Sequence, residues 1–281
     1  MYRSKFKAPS KSPLLASMAI LAALTMAGCQ TTRTADTTGS IAVSSTARTE
    51  ADWRRDVDAW GERYRKDPKN AEAAVNYAQA LRATGQREQA VAVLEQSSIH
   101  NQNNPAVLGA YGRALADTGS YAQALDVLSR AHTPDQPDWR ILSAQGAVLD
   151  QMGRHEDARR YYMSALKIVP DEPSVMSNLG LSYALSKNLR EAEDTLRRAN
   201  AYSTREPRVR QNLALVVGLQ GRLQEAEDIM RADLSPEEAA ANVADLRYML
   251  AAEKSAKDTK RGKPSPRMLQ QQAAAYPRDA D

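Results

Sequence analysis

From residue 71 onward the hydrophobic and polar positions repeat with a period of 34 residues. Gly85, Gly119, Gly153 and Gly221 share one register position, and Lys187 fills it in the fourth copy. Five residues later Ala90, Ala124, Ala158, Ala192 and Ala226 are alanine in all five copies. Seven residues before the glycine position stand the small residues Ala78, Gly112, Gly146, Gly180 and Ala214. Four residues after the alanine come the large apolar Leu94, Leu128, Tyr162, Leu196 and Met230. Each position has a physical reading as part of a helix–turn–helix. The glycine ends the first helix in a left-handed conformation that a Cβ would penalise; in the fourth copy Asn188 is expected to supply that turn, one residue after Lys187. The small residues let the two helices approach, and the large ones fill the groove between them. Pro68 and Pro170 mark the ends of second helices, where proline cannot continue the ladder.

The pattern places copies at about 71–104, 105–138, 139–172, 173–206 and 207–240. One copy cannot bury its apolar face alone, so at least three must stack, and five satisfy this. Period and pattern resemble the tetratricopeptide (TPR) repeat. The resemblance implies an all-α, right-handed superhelical solenoid of about five repeats with N- and C-terminal capping helices, spanning residues 51–253. Trp53, Val57, Trp60 and Tyr64 recur at i, i+4, i+7 and i+11, an amphipathic stripe expected to cover the first repeat. Ser235-Pro236-Glu237-Glu238 reads as a helix start, with proline in the first turn and early acids. That helix is expected to run to about Glu253 over the fifth repeat. Residues 254–281 are rich in Lys, Gln and Pro without periodicity and are expected to be a disordered tail.

The N-terminus reads as an address. Residues 1–12 are basic, and Leu14 to Gly28 form an apolar stretch too short to span a bilayer, which needs ~20 residues. It ends in Met-Ala-Gly before Cys29, the one cysteine in the chain. Ala27, Gly28 and Cys29 resemble the lipobox of bacterial lipoproteins, with Met26 in place of the more usual leucine. That resemblance implies a signal peptide over 1–28, cleavage before Cys29, and acylation there that anchors the chain stably. Gln30, rather than Asp, tilts the expected destination to the outer membrane, facing the periplasm. Residues 29–50 are rich in Thr, Ser and Ala and read as a flexible tether spanning roughly 25 Å. The charge changes its meaning in this light. The net +4 comes from four basic residues before Cys29; the remainder carries 34 basic against 34 acidic residues. The basic balance therefore gives no support to nucleic-acid binding.

Catalytic chemistry is not legible. His100, His132 and His155 share no metal-ligand spacing, and no phosphate loop, nucleophile elbow or paired-carboxylate motif occurs. The expectation is no enzyme, no cofactor and no metal, with carboxylates spread over solvated helix faces. A binding groove is the better candidate. The first helix of each repeat should line the concave face. The sixth residue of each repeat is Asn76, Ala110, Ala144, Asn178 or Asn212. An asparagine offers a donor and an acceptor to a peptide backbone, or else bridges adjacent helices. Gln79, Arg82, Arg113, Arg140, Arg208 and Gln211 lie nearby, and Leu181, Leu185, Leu215 and Leu219 make the far end apolar. The groove is expected to take a peptide or helix of a partner protein.

The runs GAVLDQMGRHEDARRYY, DEPSVMSNLGLSYALSKNLREAEDTLRRA and PRVRQNLALVVGLQGRLQEAEDIMRADL resemble the TadD family, the TPR lipoproteins of the tight-adherence (Tad/Flp) pilus system. The resemblance implies an outer-membrane lipoprotein that helps the secretin assemble or localise for pilus export. The residues themselves reach only a membrane-tethered scaffold, which leaves open a general periplasmic TPR scaffold for outer-membrane protein assembly or peptidoglycan enzymes.

Overall fold

A computed structural model describes residues 48–133, 135–203 and 206–260. The signal segment, Cys29, most of the tether and the last part of the tail lie outside the described residues. The described chain is all helix apart from one isolated bridge between Thr133 and Gln136. Helix α1 (Glu50–Lys66) is followed by five pairs: α2 (Ala71–Ala83) with α3 (Arg87–His100), α4 (Pro105–Asp117) with α5 (Tyr121–Ser129), α6 (Trp139–Gln151) with α7 (His155–Ile168), α8 (Pro173–Leu185) with α9 (Leu189–Tyr202), and α10 (Pro207–Leu219) with α11 (Leu223–Met230). Helix α12 (Pro236–Lys260) closes the stack.

Local chemistry sets the period. The first helix of each pair follows an acidic or amide residue: Asn70, Asn104, Asp138, Glu172 or Glu206. In the first four the side chain accepts a backbone N–H of the opening turn. Each of these helices ends in a Schellman turn. Gln86, Ser120, Arg154, Asn188 and Arg222 donate their N–H to the carbonyls of Leu81, Leu115, Leu149, Tyr183 and Val217. The turn residue takes φ of +80° at Gly85 and +85° at Gly221, and Lys187 adopts +66° in the fourth repeat. The lysine itself thus makes the turn. Asn188, the residue expected to make it, has φ −85° and precedes α9. The hydrogen-bond ring decides this, because only the residue three beyond Ala184 can donate to its carbonyl and still let Asn188 reach Tyr183.

Packing within each pair follows the small-to-large rule seen in the register. A Cβ on Gly112 would lie 2.4 Å from Leu128, one on Gly146 2.6 Å from Tyr162, and one on Gly180 2.6 Å from Leu196. The second helix thus comes closer than any side chain at those positions would permit. At the first end Val57, Trp60 and Tyr64 of α1 pack on the core of the first two repeats, and Tyr64 meets Tyr77 with ring centroids 5.8 Å apart. Trp53 stays outside that core, beneath the Arg48 guanidinium. The helix begins at Glu50, capped by reciprocal bonds between Thr49 and Asp52, so the last residues assigned to the tether are already ordered. At the other end α12 seats Ala239, Val243 and Leu246 against α10 and α11. It continues past Glu253 to Lys260, a stretch in which Lys254, Ala256, Lys257 and Lys260 are strong helix formers. Residues 254–260, expected in the disordered tail, are therefore helical. Among the described residues no helix is long and apolar enough to cross a membrane.

Candidate partner-binding groove

The first helices of successive repeats (α2, α4, α6, α8, α10) pack directly on one another, whereas the second helices (α3, α5, α7, α9, α11) pack on first helices or, for α11, on α12, and α9 reaches α11 only through the Arg197–Glu225 ion pair. A stack joined along one side must splay on the other, so the first helices line the inner face. All ten candidate residues stand on them: Asn76, Gln79 and Arg82 on α2, Arg113 on α4, Arg140 on α6, Asn178, Leu181 and Leu185 on α8, and Asn212 and Leu215 on α10.

The asparagines are mostly committed to the scaffold. Asn178 Nδ2 donates to Ser143 Oγ at 3.2 Å and Asn212 Nδ2 donates to Ser177 Oγ at 2.8 Å, each bond joining neighbouring first helices. Asn76 donates to the Glu72 carbonyl of its own helix. The bridging role, left open by the sequence, is thus the one the hydrogen bonds carry for Asn178 and Asn212.

The cationic residues gather over the first three repeats. Arg82 forms an ion pair with Asp117, linking α2 to the end of α4. Arg140 lies over the Trp139 ring, 4.3 Å from its centroid. Between them Arg113 is half-buried, and burial first, then the Arg82 charge, push its guanidinium below the ordinary arginine range. Arg82, Arg113 and Gln79 rim a pocket of about 170 Å³ floored by Val75, Ala78, Leu94 and Ala110.

The far end of the groove differs from expectation. Leu181 and Leu185 remain half-buried on α8. Leu215 is half-buried as well, but it packs against the core formed with α12, where Leu246 would lie 2.7 Å from a Cβ on Gly218. The capping helix takes part of this apolar surface, since a leucine stripe beside Gly218 is a ready seat for Leu246.

A second polar centre escaped the sequence reading, which placed the carboxylates on solvated faces. Asp150 is only 6% exposed. Its Oδ2 accepts from the Tyr162 hydroxyl at 3.0 Å, its Oδ1 accepts from Ser182 Oγ at 2.8 Å, and His155 Nδ1 lies 2.9 Å from Oδ1. Burial foremost, then the Asp150 charge, push the Tyr162 phenol well above its usual range. The cluster ties α6 and α7 to α8 across the third repeat joint. A register comparison could have found it. Ser182 stands where the other repeats carry Ala80, Ala114, Val148 and Val216, so a hydroxyl replaces a buried apolar group. Of the other histidines, His132 Nε2 meets Gln145 Oε1 at 3.2 Å. Among the described residues no group of His, Cys, Asp and Glu could hold a metal ion.

Residues 59–131 match a family model described as Anaphase-promoting complex, cyclosome, subunit 3, and residues 143–206 match one described as Tetratricopeptide repeat. No curated protein matches the chain. Among solved structures the chain is similar to PilW, a widely conserved type IV pilus biogenesis factor. That likeness has 17% identity and a TM-score of 0.57, over 65% of this chain and 86% of the other. It is also similar to the APC/C hetero-tetramer Cut9–Hcn1, at 14% identity and a TM-score of 0.59, over 74% of this chain and 40% of that one. At such identities these likenesses speak to the fold alone. Helix pairing, the 34-residue register and the two matching segments agree: the described chain is an all-α solenoid of tetratricopeptide repeats, capped at both ends.

Proposed function

We propose that the protein is a lipid-anchored scaffold of the outer membrane, facing the periplasm, that holds a partner protein in its groove and assists the secretin of a Tad/Flp pilus system. The observation that carries the binding role is the inner face of the first three repeats, where an apolar-floored pocket is rimmed by Arg82, Gln79 and Arg113. Tetratricopeptide repeats are scaffolds for protein–protein contact, and such a pocket is a place for a side chain to anchor. The anchor rests on the lipobox around Cys29, and the pilus role rests on the TadD resemblance.

Co-purification in mild detergent tests the partner. A secretin in the eluate supports the reading, whereas β-barrel assembly factors or peptidoglycan hydrolases in its place would overturn it. Cys29→Ser tests the anchor: membrane fractionation should be lost while helical circular dichroism is unchanged. Continued membrane binding by that variant would remove the lipid from the account.

A further inference from the structure

On the reading that the groove holds a partner segment, we infer that Arg113 is a receptor for a single carboxylate of that segment, seated in the pocket between α2 and α4. Three observations lead there.

The first is what surrounds the guanidinium. Arg113 folds back along its own helix, its Nη1 3.5 Å from where a Cβ on Gly109 would sit. Arg82 and Arg140 face it from the helices on either side, and the carboxylates within reach are Asp117 and Asp138. Both are occupied. Asp117 is paired with Arg82, and Asp138 caps α6 by accepting the Arg140 N–H at 2.7 Å. Among the described residues Arg113 makes no hydrogen bond or ion pair.

The second is an internal contrast. Arg210, on α10, has 15% of its side chain exposed and is held by Asp233 in a two-point ion pair. That is how this fold satisfies a buried arginine. Arg113, half-buried, loses part of its hydration with no such partner in return, and an incoming anion would supply one.

The third is the shape of the pocket. A volume of about 170 Å³ floored by Val75, Ala78, Leu94 and Ala110 suits the methylenes behind a carboxylate, and a planar guanidinium binds a carboxylate through two parallel N–H donors. Of the two arginines that rim the pocket only Arg113 has no ion-pair partner, so one negative charge is matched and a doubly charged phosphate is not.

Calorimetric titration of the full chain in detergent with short N-acetylated Gly/Ser peptides tests this. One peptide carries an internal Glu and an amidated end. A second replaces the Glu with Gln, a third is the Gln peptide with a free C-terminus, and a fourth carries phosphoserine. The Glu peptide, the free-terminus peptide or both should bind at least tenfold more tightly than the amidated Gln peptide, and whichever does identifies the carboxylate as side chain or terminus. Arg113→Met should bring that ratio to about one without lowering the denaturation midpoint. Arg113→Lys, which keeps the charge and loses the fork, should leave an intermediate ratio and decides the matter if the methionine variant does not fold. A ratio near one in the unmodified protein, a ratio untouched by either substitution, or tighter binding of the phosphoserine peptide would overturn the inference. Secretin capture that survives Arg113→Met would remove this site and leave the groove reading standing.

Discussion

Arg82 and Asp150 occupy the same register position, two repeats apart, and the two joints they build are opposites. At Asp150 every polar neighbour turns inward: Tyr162, Ser182 and His155 converge on one buried carboxylate, and three helices are locked together. At Arg82 the ion pair with Asp117 closes one bond and leaves a second cation, Arg113, facing a pocket. One repeat scaffold thus holds a joint completed by its own residues and a joint that an outside group completes. A buried polar cluster is a structural key when all its members are satisfied, and a candidate site when one is not.

That contrast can be broken by experiment. The largest effect is expected from Asp150→Ala, which strands the buried Tyr162 hydroxyl, leaves Ser182 only its longer bond to the His155 carbonyl, and should cost about 3 kcal/mol in chemical denaturation. A loss under 1 kcal/mol, or an equal loss from Arg113→Met, would show that the two joints do not differ in kind. A smaller effect belongs to Glu193, which takes hydrogen bonds from Arg222, Gln220 and Arg197. The Arg222 bond above all holds its carboxyl at about 2, below the ordinary 4.5. Its stabilisation is present above the ordinary value and disappears as pH falls from 4.5 towards 2. Urea midpoints across that range should fall more steeply in the unmodified protein than in Glu193→Gln, and parallel slopes would refute the assignment. Lys187→Gly should give the smallest change, a gain of about 1 kcal/mol, because it removes the left-handed penalty at the fourth turn. A loss would mean that the lysine side chain contributes more than its backbone strain costs.

Much of the fold was legible because it rests on local rules. The glycine turns, the small residues facing Leu128, Tyr162 and Leu196, and the capping segment from Ser235 all follow from spacing and side-chain size. Lys187 was misread because side-chain preference favours Asn188 while the hydrogen-bond ring of the turn selects the residue before it. The site was less legible. Nothing local tells that Leu215 packs against the core of α12, since that depends on where a helix over twenty residues away in sequence comes to rest. Asp150 looked like its solvated neighbours for the same reason. Burial is a property of the stack, and only the hydroxyl at Ser182 carried a trace of it. The arginines were picked out by residue type, but their difference in pairing emerges only when α2, α4 and α6 are side by side.

The first helices pack on one another from repeat to repeat, whereas the second helices do not, although the Arg197–Glu225 ion pair ties α9 to α11. The solenoid is therefore bound like a book along its spine, with the outer edges free to fan except where that ion pair joins the last two. Bending that spreads those edges separates no packed pair of second helices, so curvature is the soft coordinate of this molecule. A guest in the groove need not find one fixed width. By drawing Arg113 and Arg82 together or holding them apart, it would set the arc of the stack, and the exposed backs of the second helices would register its presence.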